Sequence, residues 1–272
     1  MSSSIAASLN KLWYIAKISW ENNVAYPLSF ALWRFRQILS FIIAFSLWDA
    51  IYAQASQAFG YSKSEMLTYI FIANIISYLV LASQTAHVAN LIRMGDLSII
   101  LVRPLKFFSF WFVRDIADKL QNVLFAVIEL AVLFFLFRPL LVFPQTMSTV
   151  FFTLVVIFFA MLLYFFINLC LGFIAFWSPD VWAPRFLFMM LLQLTAGSFF
   201  PLDVFPQRLV SFLSFTPLPY LLYFPAKIWL QQLPADLLIR GLVVLIAWIA
   251  FFYLLASMLW KKGLKQYGAE GR

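Results

Sequence analysis

The chain has 272 residues, 64% of them hydrophobic and 11% charged, with a mean hydropathy of +0.93. A soluble domain carries about 25% charged residues, so no water-soluble fold could hide this much apolar surface, and lipid must be the solvent. The net charge of +8 does not call for nucleic acid, because membrane proteins collect Lys and Arg at one edge of the bilayer.

The chain holds a single cysteine, Cys170, and a single histidine, His87. An intrachain disulfide and a metal cluster are therefore not expected. Residues 1–8 lack a basic segment followed by an apolar one, so no cleavable signal is expected. One membrane domain, residues 25–260, accounts for the bulk of the chain. Residues 1–24 precede it and a basic tail, 261–272, follows.

In residues 1–24, Ile5, Leu9, Leu12, Trp13, Ala16 and Trp20 recur at helical spacing, while Asn10, Lys11 and Lys17 lie off that stripe. Such a helix lies in the interface plane and either leads into the membrane or meets a cytoplasmic partner. A spanning helix needs about 20 mainly apolar residues. Six segments qualify: 28–53, 65–90, 114–137, 147–177, 184–204 and 237–260. The first carries Arg34, Arg36 and Gln37 near its start, which places its core at 38–53 and those residues among headgroups. With six spans, fourteen of the 19 Lys and Arg fall on the side that holds both termini. By the positive-inside rule that side is the cytoplasm, and both termini lie in it.

The second span opens on Ser62-Lys63-Ser64-Glu65, a capping-box pattern. Asn74, Ser77, Gln84 and His87 then share one helical face, and Asp118, Asn122 and Glu129 share one face of the third span. Antiparallel packing would pair Asn74 with Glu129 and bring His87 near Asp115 or Asp118. Polar groups at such depth face protein or a water-filled path. Two readings stay open: interhelical hydrogen bonding, or the lining of a substrate path.

Between spans two and three, Gly95 permits a sharp turn and Asp96 can cap a short helix. Its apolar face is Leu97, Ile100 and Leu101, and Arg103-Pro104 ends it. That face has no evident cover in the chain. Between spans five and six lie Gly197, Phe200, Pro201, Pro206, Pro217, Pro219 and Pro225, apolar yet broken too often to span. Short re-entrant helices packed on protein suit this run.

Six spans, Gly95-Asp96-Leu97-x5-Arg103-Pro104-Leu105, and the Gly197-Ser198-x-Phe200-Pro201-Leu202-x3-Pro206 run resemble the type-2 permease subunits of bacterial ATP-binding-cassette exporters. Thr216-Pro217-x2-Tyr220 and Tyr223-x-Pro225 extend the likeness over essentially the whole chain. The resemblance implies an all-α permease that forms the substrate path as a dimer, with an identical or paralogous second permease subunit. It implies a coupling helix at Asp96–Leu101, re-entrant outer helices within 201–230, and no catalytic residue or cofactor of the chain's own. ATP and Mg would be bound by a separate ATPase subunit. Gly263 and Gly268 have P-loop spacing, but Ala269 and Glu270 stand where Lys and Ser/Thr are needed.

Two other classes predict features that differ from these. A secondary transporter would show matching halves, and none is visible. A membrane enzyme acting on lipid-linked substrates would gather titratable groups at one depth, and here they are scattered.

Overall fold

The computed structural model describes residues 27–55, 57–102 and 106–268, with Tyr14, Lys17, Ile18, Trp20 and Glu21. The amphipathic stripe expected over 1–24 lies largely outside the described residues, as do Arg103 and Pro104. The chain is mostly helical. Among the described residues, four helices are long and apolar enough to cross a membrane. They correspond to α1 (Pro27–Ile51), α5 (Phe107–Phe137), α6 (Met147–Phe173) with the 3₁₀ turn Ile174–Phe176 that follows it, and α10 (Ala235–Gln266). A fifth crossing is available from α2 (Lys63–Val80) with the segment Gln84–Arg93, which contains α3 (Val88–Arg93).

A β-hairpin joins α1 to α2, with Gln57 opposite Ser62 and Ala58 opposite Tyr61. Its tip, Phe59-Gly60, has positive φ at both residues, the geometry of a tight two-residue turn. The expected capping box is present: Ser62 N–H donates to Glu65 Oε2 at 2.8 Å, and Ser62 Oγ accepts from Glu65 N–H at 3.3 Å.

The segment 65–90 is not one continuous helix. It bends by 48° between Val80 and Gln84. Freed backbone groups in a membrane need partners, and α5 supplies them from one i,i+4 pair. Lys119 Nζ donates to the carbonyls of Ala82 and Val80, while Asp115 Oδ1 accepts from Gln84 N–H at 3.1 Å and Ser83 Oγ at 2.5 Å. Lys119 and Asp115 are themselves paired at 3.0 Å. The break interrupts the 3.6-residue register, so Asn74 and Ser77 no longer share a single helical face with Gln84 and His87.

The segment 184–204 is not one continuous helix either. Its helix, α7 (Trp182–Thr195), has 14 residues, about 21 Å, short of the roughly 30 Å hydrocarbon core. Gly197 ends it at φ +85, and an added Cβ there would sit 2.3 Å from the Tyr69 hydroxyl. Short helices follow: a 3₁₀ turn at Leu202–Val204, α8 (Gln207–Leu213), a 3₁₀ turn at Leu218–Tyr220 and α9 (Tyr223–Trp229). Pro206 and Pro217 stand just before two of them, and Pro225 falls in the first turn of α9, where a missing N–H costs little.

Depth along the bundle is legible from contacts to the second crossing. Arg185 Nη1 donates to the Ala86 carbonyl at 2.7 Å, the Tyr69 hydroxyl to the Gly197 carbonyl at 2.8 Å, and the Tyr61 hydroxyl to Asp203 at 2.5 Å. Residues 185–203 therefore climb from the level of α3 to the level of the hairpin.

Two apolar clusters hold the fold. The larger unites α1, α2, α6 and α9 around Phe41, Trp48, Tyr69, Ile76 and Leu163. The smaller lies at the opposite end from the hairpin, where Val88, Ile92, Phe107, Trp111 and Phe173 pack with Trp260 of α10. Phe107 and Trp260 stack with ring centres 3.9 Å apart. α10 runs without a break past Trp260 to Gln266.

Candidate functional site

The helix after Gly95 forms where the sequence predicts it, as α4 (Leu97–Leu101). Gly95 has φ +82, a conformation that favours glycine. Asp96 does not cap through its side chain, because its backbone is helical (φ −70, ψ −11) rather than extended. The Gly95 carbonyl instead accepts from Ser98 Oγ at 2.8 Å and from the Tyr267 hydroxyl at 2.5 Å. Ser98 N–H donates to the same hydroxyl at 3.2 Å. The end of α10 is thereby tied to α4.

Of the apolar face named from the sequence, Leu97 and Ile100 are covered and Leu101 is not. Leu97 is 0% exposed and Ile100 is buried, both in the cluster with Val88, Phe107 and Trp111. Each buried aliphatic side chain contributes about 1.5–3 kcal/mol, so this face anchors α4 to its own chain. The outward row is Met94, Ile99, Leu101 and Val102, with Val102 83% exposed.

A second constellation lies between α1, α2 and α5. Arg34 is buried rather than among headgroups. Its Nη2 donates to Asn122 Oδ1 at 2.7 Å and to the Asn122 carbonyl at 3.3 Å, and its Nη1 lies 3.5 Å from Glu129 Oε1. The rings of Phe30, Trp33, Tyr78 and Phe125 each lie between 5.1 and 5.6 Å from the guanidinium carbon, within cation–π range. Glu129 accepts from the Tyr78 hydroxyl at 2.8 Å. Asn74 is not its partner, because Tyr78 and Arg34 occupy the carboxylate. The chain continues through Asn122 to Asp118 at 3.1 Å and from Gln84 to Asp118 at 2.8 Å. Ser77 turns back to the Asn74 carbonyl at 2.7 Å.

The third constellation, at the hairpin end, has no counterpart in the sequence reading. Asp203 gathers the hydroxyls of Tyr61 and Tyr223 (2.9 Å) and the ammonium of Lys227 (3.1 Å). Lys227 also reaches Tyr61 and Gln232 at 2.9 Å each, and Gln232 donates to Glu65 at 3.1 Å. The network joins the capped start of α2 to the proline-rich run. Burial, then the adjoining Asp203 carboxylate, push the Tyr61 phenol far above the usual tyrosine range. A Pro-x2-Tyr or Tyr-x-Pro pattern gives no hint of this partnership, because Tyr61 and Lys227 are 166 residues apart.

Between α1, α2, α6 and α7 lies a cavity of about 320 Å³. Asn74, Ser77, Asn168, Arg185 and Ser198 supply polar lining, and Trp33, Phe41, Ile70, Phe188 and Leu192 supply apolar lining. Of the polar residues named from the sequence, Asn74 and Ser77 line it, whereas Gln84, Asn122 and Glu129 do not.

The family model described as ABC-2 family transporter protein matches residues 37–271, most of the chain. The chain belongs to this family. No curated protein and no solved structure matches it. ABC-2 members are membrane components of ATP-binding-cassette transporters and are not themselves catalytic. The matched range contains α2 through α10, and with them α4, the Asp203 network and three walls of the cavity. Only the first ten residues of α1 lie before it, and Arg34 is among them.

Proposed function

We propose that this ABC-2 chain is the membrane half of a dimeric exporter in a bacterial plasma membrane, driven by a separate ATPase subunit that binds ATP and Mg. The observation that carries the proposal is the build of α4. It is pinned to the bundle by Leu97 and Ile100, tied to α10 through Tyr267, and turned outward by an apolar row at Met94, Ile99, Leu101 and Val102. A helix anchored on one side and bare on the other transmits a push from a partner's groove to the helices it joins. In this reading Asp96–Leu101 is the coupling helix.

Six crossings are supported by the climb of residues 185–203 from the Ala86 level to the Tyr61 level, in which the short α7 is completed by the 3₁₀ turn. With the α4 end in the cytoplasm, the basic residues near α1, α3–α5 and the end of α10 meet the positive-inside rule. The short helices from Pro201 to Trp229 then form the re-entrant outer region. A second permease subunit, identical or paralogous, and membrane lipids would cover the apolar outer faces of α1, α5 and α10.

Single cysteines in a Cys170→Ala background test the orientation. Lys63→Cys, Gln145→Cys and Gln231→Cys are expected to react with an impermeant thiol reagent added outside cells. Ser3→Cys, Lys106→Cys and Gln266→Cys are expected to react only after the membrane is opened. Labelling of Lys106→Cys from outside would overturn both the orientation and the coupling role of α4.

A further inference from the structure

The cavity between α1, α2, α6 and α7 contains an unusual set of unmet hydrogen-bonding groups. Arg185 donates to the Ala86 carbonyl through Nη1. Among the described residues, its Nε and Nη2 are buried without a partner, as are Asn74 Oδ1 and Ser198 Oγ. All three residues line the same space, together with Arg36. No Asp or Glu is among the described residues that line it.

Arg185 is half-buried, but leaving two of its nitrogens enclosed without an acceptor is costly, and the cost is removed by a carboxylate or phosphate, whose oxygens match the planar fork. Away from Arg185 the walls become apolar at Phe41, Ile70, Phe188 and Leu192, which suits hydrocarbon. About 320 Å³ falls at the lower end of small-molecule sites, enough for a headgroup and the first part of its chains. We infer that this cavity binds the anionic headgroup of an amphiphile, with Arg185 as its anchor and Asn74, whose unmet Oδ1 accepts from a ligand hydroxyl, as a neutral partner further along the same space. Only the leaflet from which the ligand is taken rests on the orientation proposed above, and that leaflet is the inner one.

The ligand chemistry could come from a resident bilayer lipid or from the transported cargo, and the test separates them. The purified protein is reconstituted in vesicles of equal parts phosphatidylcholine and phosphatidylglycerol, then gently delipidated, and the retained lipid is measured by native mass spectrometry. No ATPase is needed, so failure here leaves the exporter proposal standing. The wild-type chain is expected to retain phosphatidylglycerol preferentially. Arg185→Gln should lower that preference on the order of tenfold, the fold-change of one lost charge-assisted contact. Arg185→Lys, which keeps charge but not the fork, should fall between.

Because Arg185→Gln also removes the bond to Ala86, Asn74→Leu provides a second variant that leaves that bond intact and fills part of the cavity. It too should reduce retention. Equal retention of both lipids by the wild-type protein, or wild-type preference in a folded Arg185→Gln or Asn74→Leu variant, would overturn the site. With the ATPase added, movement of phosphatidylglycerol to the other leaflet identifies it as cargo-like. Retention without movement identifies a resident lipid at the same site.

Discussion

Replacing Glu129 by Leu tests whether the interior charges are structural. The substitution removes the carboxylate that faces Arg34 at 3.5 Å and accepts from Tyr78 at 2.8 Å. Breaking a buried pair by deleting one partner costs about 3–5 kcal/mol, because the other charge stays behind. Arg34 keeps both contacts to Asn122 and its four aromatic neighbours, which offset part of the loss at about 0.5–1 kcal/mol for a weak cation–π contact. The expected cost is therefore about 2–3 kcal/mol, roughly 30- to 150-fold in the unfolding equilibrium. Glu129→Gln retains an acceptor for Tyr78 and should cost less. Arg34→Met combined with Glu129→Leu removes both charges and should recover much of the stability lost in the single variants. Stability is measured by detergent-induced unfolding in mixed micelles for the two singles and the double. A Glu129→Leu protein as stable as wild type, or a double variant as unstable as the summed singles, would refute the reasoning.

Three further outcomes are expected. Ile99→Asp and Val102→Asp should insert normally yet lose ATPase binding in a pull-down, whereas Leu97→Asp should lower stability itself, because Leu97 is fully enclosed and an unpaired carboxylate there is costly; equal behaviour of Leu97→Asp and Ile99→Asp would dissolve the distinction between anchor and docking face. Gly197→Ala should destabilise by about 1–3 kcal/mol from its left-handed backbone and the clash with Tyr69, and Tyr69→Phe, which removes the clashing oxygen, should relieve only part of it in a thermal melt. Asp203→Asn should loosen the hairpin end, seen as faster hydrogen exchange across residues 57–65 with little change near α4; unchanged exchange at the hairpin would remove the network from the account.

The crossings that the sequence made legible are those whose helices are uninterrupted. α5, α6 and α10 were visible as long apolar runs because nothing within them breaks the backbone. The capping box at Ser62 was visible because its signal is local. The bend after Val80 was not, because what stabilises it is Asp115 and Lys119 on another helix, more than thirty residues away. Arg34 was misplaced for the same reason. A basic residue near the start of a span normally reaches for headgroups, and only the juxtaposition of α1 with α5 turns it inward. One signal was present: Arg34 and Glu129 are opposite charges within apolar runs, and such charges seek each other. For α4, the spacing of Leu97, Ile100 and Leu101 marks an apolar face but cannot say which of its residues are covered; Leu97 and Ile100 are, and Leu101 is exposed. The covering residues come from α3, α5 and α6, and periodicity within one helix carries no information about them.

Docking of an ATPase subunit on the outward row of α4 is tested directly by crosslinking. A photo-crosslinking amino acid is placed at Ile99 or Val102 in cells, with Leu97 and Gln145 as controls, and the adducts are identified by mass spectrometry. The account expects irradiation to join positions 99 and 102 to a protein bearing a P-loop ATPase sequence, with little adduct from the buried position 97 and none from position 145. An ATPase adduct from position 145, or none from 99 and 102 in a fully inserted protein, would contradict it.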